Sequence, residues 1–417
     1  MKATTIRPRS LIALTVVSLT FIVYWWDRTG FSVELIEIRK AFGFSAPTGG
    51  LLSSIFVLGV AIISIPAGLI VLRIGVGWGI IAGTIVFSLA TLYTAFAPGF
   101  AELLAARVIT GVGEGLFNVA VYTYLGSITF RYRGTSVGYT GILIGIGSFT
   151  GPLTVSGMLS ATGHWQAAFL LLAGSGLLGA VLLILTRRWL LRSVHDWGGT
   201  LPERQAGAPV WQPFRSVLRP WFVPLAFAVL VGGFMTYGNI AAYESFLRTT
   251  HHYSLSLASL ILGLSGAGTF FGAIPLGYWG DHTGRKFALV WSTVLAGILT
   301  ASQYWVPGNA VLLGAITVVT GAVNINLYNQ AFAAVQDYVT PEARSAAVGA
   351  ISVFFFIGGA FAGYIFLAVE GAVGSYATAT VETFVIPAVL ATALIVVMLP
   401  RKSAAIESVQ HNQMEVA

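Results

Sequence analysis

Four charged residues stand in stretches that are otherwise almost bare of charge. Asp27 and Arg28 are adjacent in YWWDRTGF at 24–31, and Arg107 and Glu114 lie in ARVITGVGEGLFNVA at 106–120. A carboxyl group can load and release a proton, and a guanidinium offers a planar donor fork that suits a carboxylate. Positions 107, 111, 114 and 118 advance by four, three and four, so on a helix Arg107, Glu114 and Asn118 share one face, with Gly111 keeping it open. Tyr24 shares a stripe with Asp27 and Arg28 by the same rule. Arg107 and Glu114 are about 10 Å apart along a helix axis. That is too far for a bond between them, so each needs a partner on another helix or in water.

The elements that must position these residues follow from composition. The chain has 417 residues, of which 56% are hydrophobic and 9% charged, with a mean hydropathy of +0.83. Soluble domains carry about 25% charged residues, so a water-soluble fold is excluded. Residues 134–186 and 287–336 contain no Asp, Glu, Lys or Arg, and each stretch holds two spans, with turns at GHW 163–165 and VPGN 306–309. Apolar windows give twelve helices, near 10–33, 48–72, 77–97, 99–127, 134–160, 165–188, 219–245, 255–280, 286–306, 308–337, 344–369 and 378–400. The fold class is an all-α polytopic membrane protein. With no cysteine there is neither a disulfide framework nor a thiolate metal site. Residues 1–26 mimic a secretory signal without a small-residue cleavage pattern, and further spans follow, so they read as an uncleaved first helix.

An even number of spans puts both termini on one side. That side and its connections hold 17 of the 22 Lys and Arg residues. Cytoplasmic loops collect positive charge, so both termini are expected in the cytoplasm and the protein in the cell membrane. The net charge of +7 is then topological, and no nucleic-acid role is read from it. The longest connection divides the chain into a bundle at 1–188, a cytoplasmic linker at 189–218, a second bundle at 219–400 and a tail at 401–417. An internal repeat supports the division: IPAGLIVLRIG at 65–75 matches IPLGYWGDHTG at 274–284, and RGTSVG at 133–138 matches RSAAVG at 344–349. Duplicated halves typify secondary transporters, whose substrate site lies between the halves near the midplane.

A charge at mid-span costs about 2.5–3.5 kcal/mol on insertion scales, so each is a candidate functional residue. The first span runs outward and the fourth inward. Asp27, Arg28 and Arg107 therefore lie in the outer half and Glu114 deeper. An Asp27–Arg107 contact would leave Arg28 free for an anion. Plainer readings remain: Asp27 and Arg28 as a solvated helix mouth, and Arg107 as a packing residue held by carbonyls. Glu114, with no basic residue within a turn, is harder to place so. The tenth span carries a polar stripe of Asn326, Asn329, Gln330 and Gln336, expected to face the cavity or to bond neighbouring helices. The seventh adds Tyr237, Asn239, Tyr243 and Glu244, the last near its outer end.

The segment GYWGDHTGRK at 277–286 resembles the loop motif of the major facilitator superfamily, and the resemblance extends over the whole chain. It implies two pseudo-symmetric six-helix bundles with a cavity lined by the first, fourth, seventh and tenth spans. It also implies gating charges at Arg73, Asp281 and Arg285. The first-half copy, GLIVLRIGVG at 68–77, has Leu72 where the family has Asp. Arg107 followed by Gly111, Gly113 and Gly115 resembles the family's helix-4 motif, and Gly147 with Gly151–Pro152 partly resembles that of proton-driven exporters. The set Asp27, Arg28, Arg107 and Glu114 looks like the anion:cation symporter branch, and Spinster-type lipid transporters look similar there.

The branch implies proton-coupled symport of a small organic anion, with Asp27 and Glu114 carrying protons. The substrate would be met by Tyr24, Arg28, Arg107, Asn118, Tyr237, Asn239, Asn326, Asn329 and Gln330. The expected partners are that substrate, protons and the bilayer, without metal or cofactor, and the protein would work as a monomer. The alternative is a proton-driven exporter of amphiphilic, drug-like or lipid-like molecules. A membrane enzyme finds no support, since no Ser–His–Asp or metal pattern is visible.

Overall fold

The computed structural model describes residues 7–128, 133–197, 219–339 and 344–400. Residues 198–218 of the expected linker, the tail at 401–417 and the side chain of Asp281 lie outside the described residues. Among the described residues, twelve helices are long and apolar enough to cross a membrane. The first six are Pro8–Val33, Ala46–Ser64, Val76–Thr94, Phe100–Ile128, Tyr139–Thr162 and Trp165–Asp196. The seventh to twelfth are Phe222–Thr249, Leu255–Gly280, Arg285–Trp305, Ala310–Asp337, Ala347–Val373 and Tyr376–Met398.

Local chemistry sets several boundaries. Pro8 opens the first helix, where its missing N–H costs no hydrogen bond. Glu34 ends that helix, and a short helix, Leu35–Phe42, follows at the end of the bundle far from the termini. Gly43, at φ 70°, terminates the short helix, and the Ser45 side chain accepts from the Thr48 N–H to start the next. The sixth helix runs to Asp196, into the stretch read as linker, and Ser10 Oγ donates to Asp196 Oδ2 at 2.5 Å.

Small residues decide which helices cross closely. A Cβ at Gly111 would overlap the Phe56 carbonyl, and one at Gly113 the Phe87 backbone, so the fourth span is clamped between the second and third. Gly111 therefore does not keep a face open as the spacing suggested. Its bare backbone is occupied by the second span. The second half repeats the pattern, with Gly268 against Val318 and Gly321 against Ser265 where the eighth and tenth spans cross. Between the halves, Gly50 lies on Gly363, and a cluster of Phe56, Val57, Val60 and Ala61 packs on Tyr237, Phe356, Ala360 and Ala362. This seam holds the candidate site.

Gly111→Val is accordingly expected to destabilise the fold by about 3 kcal/mol or more, because backbone cannot move aside as a flexible side chain can. Gly157→Ala, in a helix where a Cβ meets nothing within 4 Å, should leave stability unchanged or raise it by up to about 1 kcal/mol. Thermal unfolding of both variants in detergent checks the contrast.

Candidate functional site

The structure brings Asp27, Arg28, Arg107 and Glu114 into one buried cluster, with exposures of 1%, 4%, 1% and 0%. Arg107 Nη1 lies 3.6 Å from Asp27 Oδ2, at the contact that helix depth suggested. Thr91 Oγ1 donates to Asp27 Oδ1 at 3.0 Å, and Arg107 Nε donates to the Leu52 carbonyl at 3.3 Å. Arg28, expected to be left free, instead donates from Nε to Glu114 Oε2 at 2.9 Å and from Nη1 to the Tyr237 hydroxyl at 3.0 Å. The reason is physical: an uncompensated charge in this interior is strongly destabilising, and the long Arg28 side chain reaches the nearest carboxylate.

Aromatic rings surround both guanidiniums. Arg28 Cζ stands 4.5 Å from the Tyr24 ring centroid, 5.3 Å from Trp25, 5.6 Å from Phe56 and 5.8 Å from Phe356. Arg107 lies 4.6 Å from Phe31 and 4.7 Å from Phe56. Ring faces attract cations without neutralising them, so the two arginines remain charged partners for an anion. Tyr237 and Phe356 come from the second half, so the site spans the seam.

The cluster is balanced in charge but not in hydrogen bonds. Arg28 Nη2, Arg107 Nη2, Asp27 Oδ2 and Glu114 Oε1 are buried without a hydrogen-bond partner among the described residues. Asp27 and Glu114 thus each face an arginine within one cluster. Unmet donors and acceptors of this kind are costly, which makes this cluster the candidate site.

The amides of the second half, placed among the substrate contacts, take the other course open to the tenth-span stripe and bond a neighbouring helix. Asn239 Oδ1 accepts from the Tyr304 hydroxyl at 2.9 Å, and Asn326 Nδ2 donates to Ser292 at 2.7 Å. Gln330 Nε2 donates to Asn326 Oδ1 at 3.2 Å and its Oε1 accepts from Arg285 Nη1 at 3.0 Å. These three amides bond the ninth span, the neighbour that the stripe could not specify, rather than facing Arg28. Gln336 donates to Phe332 in its own helix. Asn118 and Asn329 are half-buried, and their side chains make no hydrogen bond among the described residues.

Of the gating candidates, Arg285 lies 3.4 Å from Asp337 Oδ2 and Arg73 is exposed. Glu244, placed at a helix mouth by its position, is fully buried beside Arg248. Spacing gave no sign of Thr91, Phe56 or Phe356. They lie on the third, second and eleventh spans respectively and look like ordinary residues of apolar helices.

The family model for the Major Facilitator Superfamily matches residues 17–363 and 225–413. The chain belongs to the Major Facilitator Superfamily. It is therefore a multi-pass membrane protein of that fold. It is 25% identical over 276 residues to a hexuronate transporter of Bacillus subtilis, covering 64% of this chain and 63% of that protein. It is 25% identical over 273 residues to a probable sulfoacetate transporter of Cupriavidus necator, covering 62% of each. Protein spinster homolog 3 of Danio rerio is 27% identical over 198 residues, 47% of this chain and 40% of that one. The matched stretch spans less than two thirds of each of these relatives. A bacterial homolog of the human lysosomal transporter Spinster, solved inward-facing and unoccupied, superposes with a TM-score of 0.68 at 18% identity, over 96% of this chain and 97% of that one.

Proposed function

We propose that the protein is a proton-coupled symporter of a small organic anion, working by alternating access with its termini in the cytoplasm of a cell membrane. One observation carries this reading: the Arg28–Glu114 pair, buried at 2.9 Å, with Arg28 Nη2 and Glu114 Oε1 left unmet beside it. A substrate carboxylate can take the Arg28 fork only if Glu114 gives it up, and Glu114 gives it up on taking a proton. Asp27, facing Arg107 in the same buried cluster, is the second carboxyl that can take a proton. The four side chains sum to zero charge, so each anionic charge admitted calls for one proton. Bringing in a lone charge would leave it uncompensated in the interior. One proton per carboxylate is the resulting stoichiometry.

The relatives that carry anions favour the same substrate class. The walls refine it. Around Arg28 stand Tyr24, Trp25, Phe56, Tyr237 and Phe356, whereas Asn239, Asn326 and Gln330 are engaged with the ninth span. A sugar acid would need hydrogen-bonding groups along its whole length. This site offers a cationic grip within aromatic surface, suited to a carboxylate with an apolar or flat body. The same lining favours an amphiphile as the second reading.

A thermal-shift screen of the purified protein at two pH values, followed by uptake of any stabilising ligand, tests the assignment. Aryl and alkyl monocarboxylates should stabilise the protein more at acid pH than at alkaline pH, and more than hexuronates do. Stabilisation by neutral or cationic amphiphiles alone would overturn the symport reading.

A further inference from the structure

A second cluster of charge lies at the end of the bundle far from the termini, where the halves meet again. Arg248, in the last turn of the seventh span, grips Glu37 of the short helix Leu35–Phe42 with both nitrogens, Nη2–Oε1 at 2.5 Å and Nη1–Oε2 at 3.1 Å. Its Nη1 also lies 3.4 Å from Glu244 Oε1 and 3.5 Å from the Val33 carbonyl. Glu34 lies against this group, fully buried, and neither of its carboxyl oxygens has a hydrogen-bond partner among the described residues. The charged groups facing it are Glu37 from the short helix and Glu244 and Arg248 from the seventh span.

Charge does not balance here as it does around Arg28. Three carboxyls share one guanidinium, and the fork of that guanidinium is already directed at Glu37. If all were ionised, two net negative charges would stand in a closed seam, one of them on Glu34 without a donor. Glu34 stands at the C-terminal end of the first helix and the N-terminal end of the short one, so the two helix dipoles act on it in opposite senses and neither replaces the missing donor. A carboxylate in that place is costly, and a neutral carboxyl is not.

We propose that Glu34 is a proton-binding site of this seam, protonated while the two halves are joined there and ionised when they part and water reaches it. Burial, with Glu37 and Glu244 adding to it against the pull of Arg248, pushes Glu34 up to about 9 in the joined form. Exposed to water, a glutamate titrates near an ordinary value of about 4.3. Joining the seam therefore takes up a proton between those two values. As pH rises through that window the joined form loses about tenfold in relative population per unit, and below it the response is flat. Under the proposed topology this end faces outside, so external acid favours outer closure. Glu34 is about 9 Å along the helix from Arg28, and the site does not depend on which substrate the central quartet carries. It rests on the proposed alternating access only in requiring that the seam can open.

The chain contains no cysteine, so spin labels can be placed at Lys40→Cys and Thr250→Cys, exposed positions on either side of the seam. Distances between them are measured on the full chain in nanodiscs, without substrate, from about pH 5 to about pH 9. The short-distance population should fall with rising pH, stay high and flat in Glu34→Gln, and keep its pH response in Glu114→Gln. A response unchanged in Glu34→Gln, or lost in Glu114→Gln instead, overturns the proposal. Infrared spectroscopy of the joined form at neutral pH gives a second readout that needs no opening. A protonated-carboxyl signal that disappears in Glu34→Gln supports the site, and one that persists unaltered overturns it. A seam joined at every pH would count against alternating access, while the infrared signal would still decide the Glu34 site.

Discussion

Glu114→Gln is expected to abolish uphill accumulation of substrate in proteoliposomes under an imposed pH gradient, while sparing exchange between preloaded compartments. The substitution keeps the side-chain shape and an oxygen that can accept from Arg28 Nε, so the bond now measured at 2.9 Å can persist in weaker form. It removes the one property that links charge on Arg28 to protons. The quartet then carries one excess positive charge, which an anionic substrate offsets on entering. Substrate binding should therefore tighten by about tenfold, the difference between a charge-assisted competitor and a neutral one. It should also lose its dependence on pH. A loaded carrier still crosses, so exchange survives. The accumulation ratio falls to about one because nothing couples the crossing to the gradient. A mutant that still concentrates substrate would show that the proton is carried elsewhere.

This pairing also marks what the chain declares in its sequence and what it withholds. Asp27, Arg28, Arg107 and Glu114 were legible because a charge within a span is expensive, and because four- and three-residue steps fix a helix face. Helix direction even put Asp27 and Arg107 at one depth. Rotation of one helix against another is not written in such spacing. The Arg28–Glu114 bond thus emerges only when the seventh span and the aromatic rings close around Arg28. The tenth-span amides show the same limit. Their stripe was correct as a stripe, but Ser292 and Arg285 lie on the ninth span, and a periodicity names no neighbour.

Ends of helices were less legible still. Arg192 falls in the stretch read as a linker, yet the sixth helix carries it on to Asp196, and Arg187, near the expected helix end, lies 4.7 Å from the Trp78 ring. Charged side chains can lie along an apolar helix while their heads reach water, so charge alone does not end a helix. Glu34 escaped for the opposite reason. At a helix terminus a glutamate normally reaches solvent, and only the packing of the seventh span against the first encloses it. The twelve spans were the most legible feature, because length and apolarity together leave few other arrangements for such segments in a bilayer.

Arg28→Ala should weaken binding of the anionic substrate by at least about a hundredfold, because two charge-assisted hydrogen bonds together contribute about 3 kcal/mol or more. Arg28→Lys should recover charge but not the fork. The lysine ammonium can meet Glu114 or the substrate, yet it cannot hold Tyr237 and a carboxylate in the planar arrangement that Nη1 and Nη2 provide. A partial recovery, to within about tenfold of the parent protein, would follow if charge is the larger share. Neutral compounds of the same body should be little affected by either change, since the rings of Tyr24, Trp25, Phe56 and Phe356 remain. Calorimetric titration with a matched pair, a carboxylate and its amide, separates the two contributions. If Arg28→Ala binds the carboxylate with unaltered affinity, Arg28 serves only to neutralise Glu114, and the anion must be held by Arg107. If instead the amide and the acid lose affinity equally, the aromatic wall has collapsed, and the variant reports packing rather than recognition. Loss of the acid alone, with the amide unmoved, is the outcome that a guanidinium reserved for a carboxylate requires.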